Sequence, residues 1–240
     1  MTPRQQRLLQ AIIDEFIDTA EAVGSVNLAR KYRLGVSPAT IRNEMAALVD
    51  EGYLSKPHTS SGRVPTSRAF RFAIESLIDS MEEPSVHVTS PIYEEFHQHR
   101  FDRDQLIMSA AQTLADVSGN VGLVMLRNRL YYAGLSNLTK QPEFSDLETL
   151  KSVLQLLEDS QTLLEVFDSY EGDKDLRIMV GKDIGLPTLD NLAIIFSLIK
   201  LHDSRKGHIA IVGANRMNYS EVLPMFTFVT KSLNKVVSGW

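Results

Sequence analysis

Two hydroxyl–proline pairs restrict what the N-terminal third of this chain can fold into. Thr2-Pro3 and Ser37-Pro38 each set a side-chain oxygen one residue ahead of a proline. The oxygen can accept from an amide of a first helical turn, and proline lacks the amide that such a turn leaves unpaired. Each pair therefore predicts a helix start. After Thr2-Pro3, the apolar residues Leu8, Leu9, Ile12, Ile13, Phe16 and Ile17 recur at steps of three and four, which predicts a helix over 4–22 that Gly24 ends. Ser25 is placed to cap a short second helix, 26–32, with Leu28 and Ala29 inward, and Arg33-Leu34-Gly35-Val36 reads as a turn. The helix after Ser37-Pro38 runs to Glu51, where Gly52 stops it, and it turns Ile41, Met45, Leu48 and Val49 inward.

Three short helices with a glycine-bearing turn before the last predict a helix-turn-helix. The third helix spends its apolar face on the core, so its outer N-terminal face holds Ala39, Thr40, Arg42 and Asn43. Small residues let a helix sit deep in a major groove. Arginine can pair with guanine and asparagine with adenine, and threonine can donate to a phosphate or touch a thymine methyl. An ordinary solvated helix face is the competing reading. Next come Tyr53-Leu54-Ser55-Lys56-Pro57, a polar loop His58-Thr59-Ser60-Ser61-Gly62-Arg63, and Val64-Pro65-Thr66. Two short edge strands around a loop rich in hydroxyl and backbone donors form a wing, which can lie along phosphates or reach the minor groove. Ser67 then opens a helix over 68–81 with Phe70, Ile74, Leu77 and Ile78 inward.

Charge agrees with a nucleic-acid-binding N-terminus. The whole chain of 240 residues carries a net −5, yet residues 25–72 hold eight Lys/Arg against three Asp/Glu, a local +5. A basic segment on an acidic body suits a DNA-reading module joined to a regulatory one. The absence of cysteine excludes disulfides, thiolate zinc sites and cysteine nucleophiles. No apolar run is long enough for a membrane span and no signal peptide is evident, so a cytoplasmic protein is expected.

The rest of the chain reads as a linker over 82–104, partly helical near 92–99, and then an α+β sheet domain over 105–240. Strands are expected at 121–126, 177–180, 193–201 and 208–212. Helices are expected at 106–117, 146–165 and 220–237. His97-Gln98-His99 resembles a metal-ligand spacing but has no carboxylate cluster or cysteine beside it. The turn Gly213-Ala214-Asn215-Arg216-Met217 allows either an anion-binding loop or a packing turn fixed by Arg216, and the packing turn is preferred. No phosphate-binding glycine loop, nucleophile elbow or zinc-protease motif occurs, so catalysis is not expected and no cofactor or metal is called.

Three separated motifs together resemble the HrcA family of bacterial heat-shock repressors. The first is Ser37-Pro38-Ala39-Thr40-Ile41-Arg42-Asn43-Glu44-Met45 with Gly52-Tyr53-Leu54 and the stretch from Pro57 to Thr66. The second is Tyr132-Ala133-Gly134-Leu135-Ser136-Asn137-Leu138 with Gln141-Pro142-Glu143-Phe144-Ser145-Asp146. The third is Val212-Gly213-Ala214-Asn215-Arg216-Met217-Asn218-Tyr219. The resemblance implies a winged helix-turn-helix over 1–81 followed by a GAF-like regulatory and dimerising domain over 105–240. It further implies a homodimer that represses chaperone genes from an inverted-repeat CIRCE operator. A GroEL-type chaperonin would keep the repressor active, and heat would release it. The DNA-contacting residues are then Ser37, Pro38, Ala39, Thr40, Arg42 and Asn43 on the helix, with Lys56, His58, Ser60, Ser61, Gly62 and Arg63 on the wing. HrcA proteins generally carry a dimerising domain inserted in the GAF-like domain. Here only Arg127-Asn128-Arg129-Leu130 separates the run Asn120–Leu126 from Tyr131, so the insert is absent. A winged-helix regulator gated by a small molecule in the sheet domain is the alternative, and a winged helix that binds only protein is a third reading.

Overall fold

Thr2 begins the first helix as its side chain predicts. Its hydroxyl accepts from the amide of Gln5, and the Gln5 side chain accepts from the Thr2 amide at 2.8 Å, a reciprocal cap on α1 (Pro3–Thr19). In this computed structural model, residues 1–56, 62–126, 129–170, 175–200 and 206–238 are described. The chain divides into two units, Met1–Asp79 and Ser80–Trp240.

In the first unit α1 stops short of residue 22, because Ala20 takes a left-handed conformation (φ 57°) and returns its amide to the Phe16 carbonyl. The second helix, α2 (Ser25–Lys31), is capped by the extended backbone of Gly24. Ser25 is its first residue and is buried rather than serving as the cap. The third, α3 (Pro38–Asp50), opens at the second hydroxyl–proline pair. Leu8, Leu9, Ile12 and Ile13 of α1, Leu28 of α2 and Ile41, Met45 and Leu48 of α3 are buried together with Phe70 and Ile74 of α4 (Ser67–Asp79). Leu77 and Ile78 are only half-buried. The wing strands β1 (Leu54–Ser55) and β2 (Val64–Pro65) pair antiparallel, Leu54 with Pro65 and Ser55 with Val64. A third strand-like contact extends them: Val23 and Arg63 exchange backbone hydrogen bonds of 2.8 and 2.9 Å.

The second unit is a five-stranded antiparallel sheet with helices on both faces. Its strands are β3 (Val121–Leu126), β4 (Arg129–Ala133), β5 (Arg177–Val180), β6 (Leu192–Lys200) and β7 (Lys206–Ala214), in the order β4-β3-β7-β6-β5. Every residue of β3 is buried because both its faces are covered. Val121, Leu123 and Met125 join Val153 of α7 (Leu147–Glu158), Phe167 of α8 (Ser160–Asp168) and Phe196 of β6 in one core. On the opposite face Gly122 lies against α6 (Arg103–Ser118), where a side chain would bring its Cβ to 2.1 Å from the Ala111 carbonyl oxygen. The last helix, α9 (Tyr219–Val237), packs with α6. The fold is α+β, as expected: three helices with a two-stranded wing and a fourth helix, then an antiparallel sheet domain covered by helices.

Three details depart from the expectation. The stretch 82–104 holds a full helix, α5 (Val86–Gln98), whose Ile92 and Phe96 are buried, and it groups with the second unit. The single helix expected over 146–165 is two, because the Asp159 side chain accepts from the amides of Gln161 and Thr162 and starts α8 afresh. Strand β4 was not expected. It pairs with β3 from Gly122↔Ala133 up to Leu126↔Arg129, so only two residues separate the paired strands.

Candidate nucleic-acid interface

The Ser37 hydroxyl accepts from the Thr40 amide at 3.2 Å and lies 3.0 Å from the Thr40 hydroxyl, fixing the first turn of α3. With Ile41, Met45 and Leu48 buried, the helical period turns Ala39, Arg42, Asn43 and Ala46 together onto the opposite face, and all four are exposed. Ser37 and Pro38 are exposed beside them, and Thr40 is half-buried. The acidic residue of this stretch does not share that face. Glu44 is nearly buried and ion-paired with Arg4 of α1. That pairing holds α1 to α3 and leaves the open face without a carboxylate until Asp50 at its far end.

Two further sets of contacts set the pose of the helix, and neither was anticipated. Glu15 is an acidic residue with only 5% exposure inside the apolar stripe of α1. Its carboxylate accepts from Lys31 at 2.5 Å, Asn27 at 2.8 Å and the Tyr32 hydroxyl at 3.2 Å, tying α1 to α2. The Lys31 hydrogen bond is the main cause that holds the Glu15 carboxyl below the usual carboxylate range, and burial opposes it. At the other end of α3, the Arg68 guanidinium donates to the Glu51 carbonyl at 2.7 Å and stacks 4.5 Å above the Tyr53 ring. A cation at the last carbonyls of a helix also suits its dipole. The Thr66 hydroxyl donates to the Gly52 carbonyl at 2.8 Å and closes the turn into β1. The sequence signal for Glu15 was its place inside an apolar stripe, where a carboxylate needs partners.

On the wing, Lys56 is exposed at the end of β1. His58, Ser60 and Ser61 lie outside the described residues. Gly62 is buried, and the position admits no larger residue, because a Cβ there would come within 2.6 Å of the Ala22 carbonyl oxygen. Arg63 is half-buried and donates to the Gly62 carbonyl at 3.0 Å. The structure therefore brings Ser37, Pro38, Ala39, Arg42 and Asn43 onto one open surface, and gives Gly62 a packing reason of its own.

The other two sequence motifs meet in the second unit, at one end of its sheet. The Gln141 amide donates to the Asn120 side chain at 2.9 Å and its carbonyl accepts from the Ala214 amide at 2.9 Å. Asn137 donates to the Asn120 carbonyl at 3.0 Å. Arg216 donates to Glu143 at 2.5 Å in a largely buried ion pair. The buried Tyr219 hydroxyl donates to the Asn215 carbonyl at 2.9 Å, and burial pushes its phenol well above the ordinary range. A Cβ on Gly213 would fall 1.8 Å from the Asn120 side-chain oxygen. Gly213 thus packs directly against Asn120, and the Arg216–Glu143 pair holds the loop, which suits a packing turn. Among the described residues no group of three His, Asp or Glu side chains converges as a metal site.

The family model described as HrcA protein C terminal domain matches residues 79–223. The chain belongs to the HrcA family. The heat-inducible transcription repressor HrcA of Pelotomaculum thermopropionicum is 24% identical over 335 aligned positions, which take in 98% of this chain and 96% of that one. The HrcA of Clostridium perfringens strain 13 is 27% identical over 341 positions, covering 98% of each, and that of Brevibacillus brevis 25% identical over 338 positions, covering 100% and 98%. Alignments of that length outrun a chain of 240 residues, so a long stretch of each relative has no counterpart here. A crystal structure of a hypothetical protein at 2.2 Å resolution shares the fold, with a TM-score of 0.82 at 17% identity over 100% of this chain and 99% of that one. As an HrcA-family member the chain is a heat-inducible transcription repressor rather than an enzyme. No helix among the described residues is long and apolar enough to cross a membrane.

Proposed function

We propose that this HrcA-family chain acts in the cytoplasm as a homodimer that occupies an inverted-repeat CIRCE-type operator through the α3 helices of its two 1–81 modules and blocks transcription of chaperone genes. The observation that carries this reading is the open face of α3, where Ala39, Arg42, Asn43 and Ala46 stand together while Glu44 is drawn away by Arg4. Arg42 and Asn43 read base edges. Ala39 and Thr40 allow the helix to approach the groove floor or the backbone, and Ser37 and Pro38 set its entry. Lys56, His58, Ser60, Ser61, Gly62 and Arg63 place the wing along phosphates or the minor groove. A symmetric dimer suits a symmetric operator, since each half-site receives one recognition helix. The dimer contacts in this chain come from the 105–240 domain, because only Arg127 and Asn128 stand between the paired Leu126 and Arg129 and no inserted domain is there to supply them. A GroEL-type chaperonin keeps the repressor active, and heat withdraws that support.

The test is titration of the full chain against a fluorescent inverted-repeat duplex and a scrambled duplex over a range of salt. Arg42→Ala removes a bidentate base contact and should cost about 1–3 kcal/mol of preference for the operator. Lys56→Ala should weaken both duplexes alike and flatten the salt slope by about one. Unchanged operator preference in Arg42→Ala would remove α3 from the recognition role.

A further inference from the structure

Strand β4 ends the sheet, and among the described residues no strand pairs with its outer edge. An edge of unpaired amides and carbonyls invites a further strand, and proteins usually blunt it with proline, lysine or a bulge. β4 has none of these. Its sequence is Arg129-Leu130-Tyr131-Tyr132-Ala133, and it pairs with β3 over consecutive residues without a break in register. Gly122 lies against α6 and pairs with Ala133, so by alternation Arg129, Tyr131 and Ala133 face α6. Leu130 and Tyr132 face the other way. Leu130 packs on the core there, and Tyr132 remains 40% exposed.

The helix beside this edge is open as well. Asp104, Met108, Gln112 and Asp116 recur at steps of four along α6, and all are exposed. This stripe runs along β4. Near its start the Tyr131 hydroxyl donates to Asp104 at 2.6 Å. In the middle, Met108 lines an open groove together with Leu130 and Tyr131, and is 44% exposed. At the far end Gly134 lies so close that a Cβ on it would meet the Ala115 Cβ at 2.7 Å. Helix and strand therefore run side by side in one direction, with Met108 level with Tyr131, the central residue of β4.

Three features fit this face to a second copy of itself. The first is spacing. α6 lies over β3 and β4 together, since Gly122 and Gly134 both press against it. Strands sit about 4.8 Å apart, so pairing two β4 edges places one β3–β4 midline about 10 Å from the other. Helices pack about 8–10 Å apart. The step that pairs the strands therefore also brings the two α6 helices into contact. The second is side-chain match. A two-fold axis requires antiparallel pairing, and centring it on Tyr131 sets Leu130 opposite Tyr132 of the second copy and Met108 against its own counterpart. The third is charge. Arg129 stands at one end of the face, where the carboxylate of Asp104 is already engaged by Tyr131, and Asp116 is exposed at the other end. The axis brings these opposite ends together twice.

We propose that the outer edge of β4 and the exposed stripe of α6 are the self-association face of this chain. Two copies join β4 to β4, antiparallel about Tyr131, into one continuous sheet, and their α6 helices pack across the axis at Met108. The proposal rests on the homodimer reading above and names the surface that forms it.

Sedimentation equilibrium of the full chain without DNA tests this face. The natural chain should sediment as a dimer. Met108→Glu sets two carboxylates against each other at the axis and should weaken self-association by about a hundredfold. Arg129→Asp and Asp116→Arg should each weaken it by about tenfold, because each breaks two symmetry-related pairs. The two together should restore it. The residues stand at opposite ends of the face within one chain, so that rescue can arise only between copies. Should a charge variant fail to fold, an oxidation assay serves instead. The chain has no cysteine, so a single Met108→Cys can form a disulfide only between two copies, and it should link far faster than Glu148→Cys on the exposed side of α7. A natural chain that stays monomeric, a Met108→Glu dimer as tight as the natural one, a double variant no tighter than the singles, or equal linking of the two cysteine variants would each overturn the proposal. The operator titration keeps this failure apart from that of the repressor reading. A dimer disrupted by Met108→Glu, in a chain that binds inverted-repeat and scrambled duplexes alike, upholds the face and overturns operator recognition.

Discussion

Replacing Glu15 is the sharpest test of how the N-terminal unit is held together. The carboxylate is 5% exposed and accepts from three side chains, Asn27, Lys31 and Tyr32, all belonging to the α2 segment. Glu15→Ala removes the acceptor and leaves the half-buried Asn27 amide and Tyr32 hydroxyl unpaired. The Lys31 side chain is 46% exposed, so its share is screened by water. One charged acceptor serving two half-buried donors is then worth about 2 kcal/mol. Glu15→Gln keeps the shape and one acceptor oxygen, and should cost about 1 kcal/mol. The assay is urea unfolding of the full chain followed by circular dichroism. With a denaturant slope of roughly 1 kcal/mol/M for a unit of this size, the alanine variant should lower its midpoint by about 2 M. The pH dependence carries a second signature. Lys31 holds the folded carboxyl below its unfolded value, so the unfolded chain binds the proton more readily. The contribution is therefore complete above the unfolded value of about 4.3 and is lost as pH falls through the lower folded value. The gap between the natural chain and Glu15→Gln should be full at neutral pH and shrink only in acid below about 4. A gap that is absent at neutral pH, or one that widens in acid, would refute the assignment.

Three other outcomes follow from the geometry. Ser37→Ala removes the cap on the Thr40 amide and should destabilise the first unit by about 1 kcal/mol, read as a lower unfolding midpoint. Gly122→Ala places a Cβ 2.1 Å from the Ala111 carbonyl oxygen of α6, which the backbone must give way to accept. A loss of about 1–3 kcal/mol, seen in thermal unfolding of the second unit, is expected. Arg216→Ala leaves Glu143 buried without its cation and should cost about 3–5 kcal/mol, whereas Arg216→Met combined with Glu143→Gln should recover much of it. A double variant no better than the single one would contradict the pairing.

Elements marked by their own local chemistry were legible in the sequence. Thr2-Pro3 and Ser37-Pro38 mark the starts of α1 and α3, and the apolar runs at β3 and β5 give those strands their bounds. Features made by distant partners were not. Val23 becomes strand-like only because Arg63 pairs with it. Glu15 is tolerable inside an apolar stripe only because α2 brings three donors. Strand β4 is an edge with Arg129 and Tyr132 exposed, so it lacks the apolar run that betrays a central strand. The break at Asp159 was available as a capping aspartate with Thr162 three residues on, but the apolar period runs through it from Leu157 to Leu163 and conceals it. On α3, the exposed residues followed from the period alone, whereas the removal of Glu44 from their face required Arg4 of another helix.

The ladder between β3 and β4 also bears on how chains of this kind differ in length. Its last pair, Leu126↔Arg129, holds the two chain ends side by side, whatever joins them. Any segment spliced in at that point departs and returns through one doorway, and the pairs from Gly122↔Ala133 onward need not shift to admit it. Lengthening such a link costs only about 0.6 kcal/mol per doubling. The sheet is thus tolerant at this link: its length can change while the paired strands on either side keep their register.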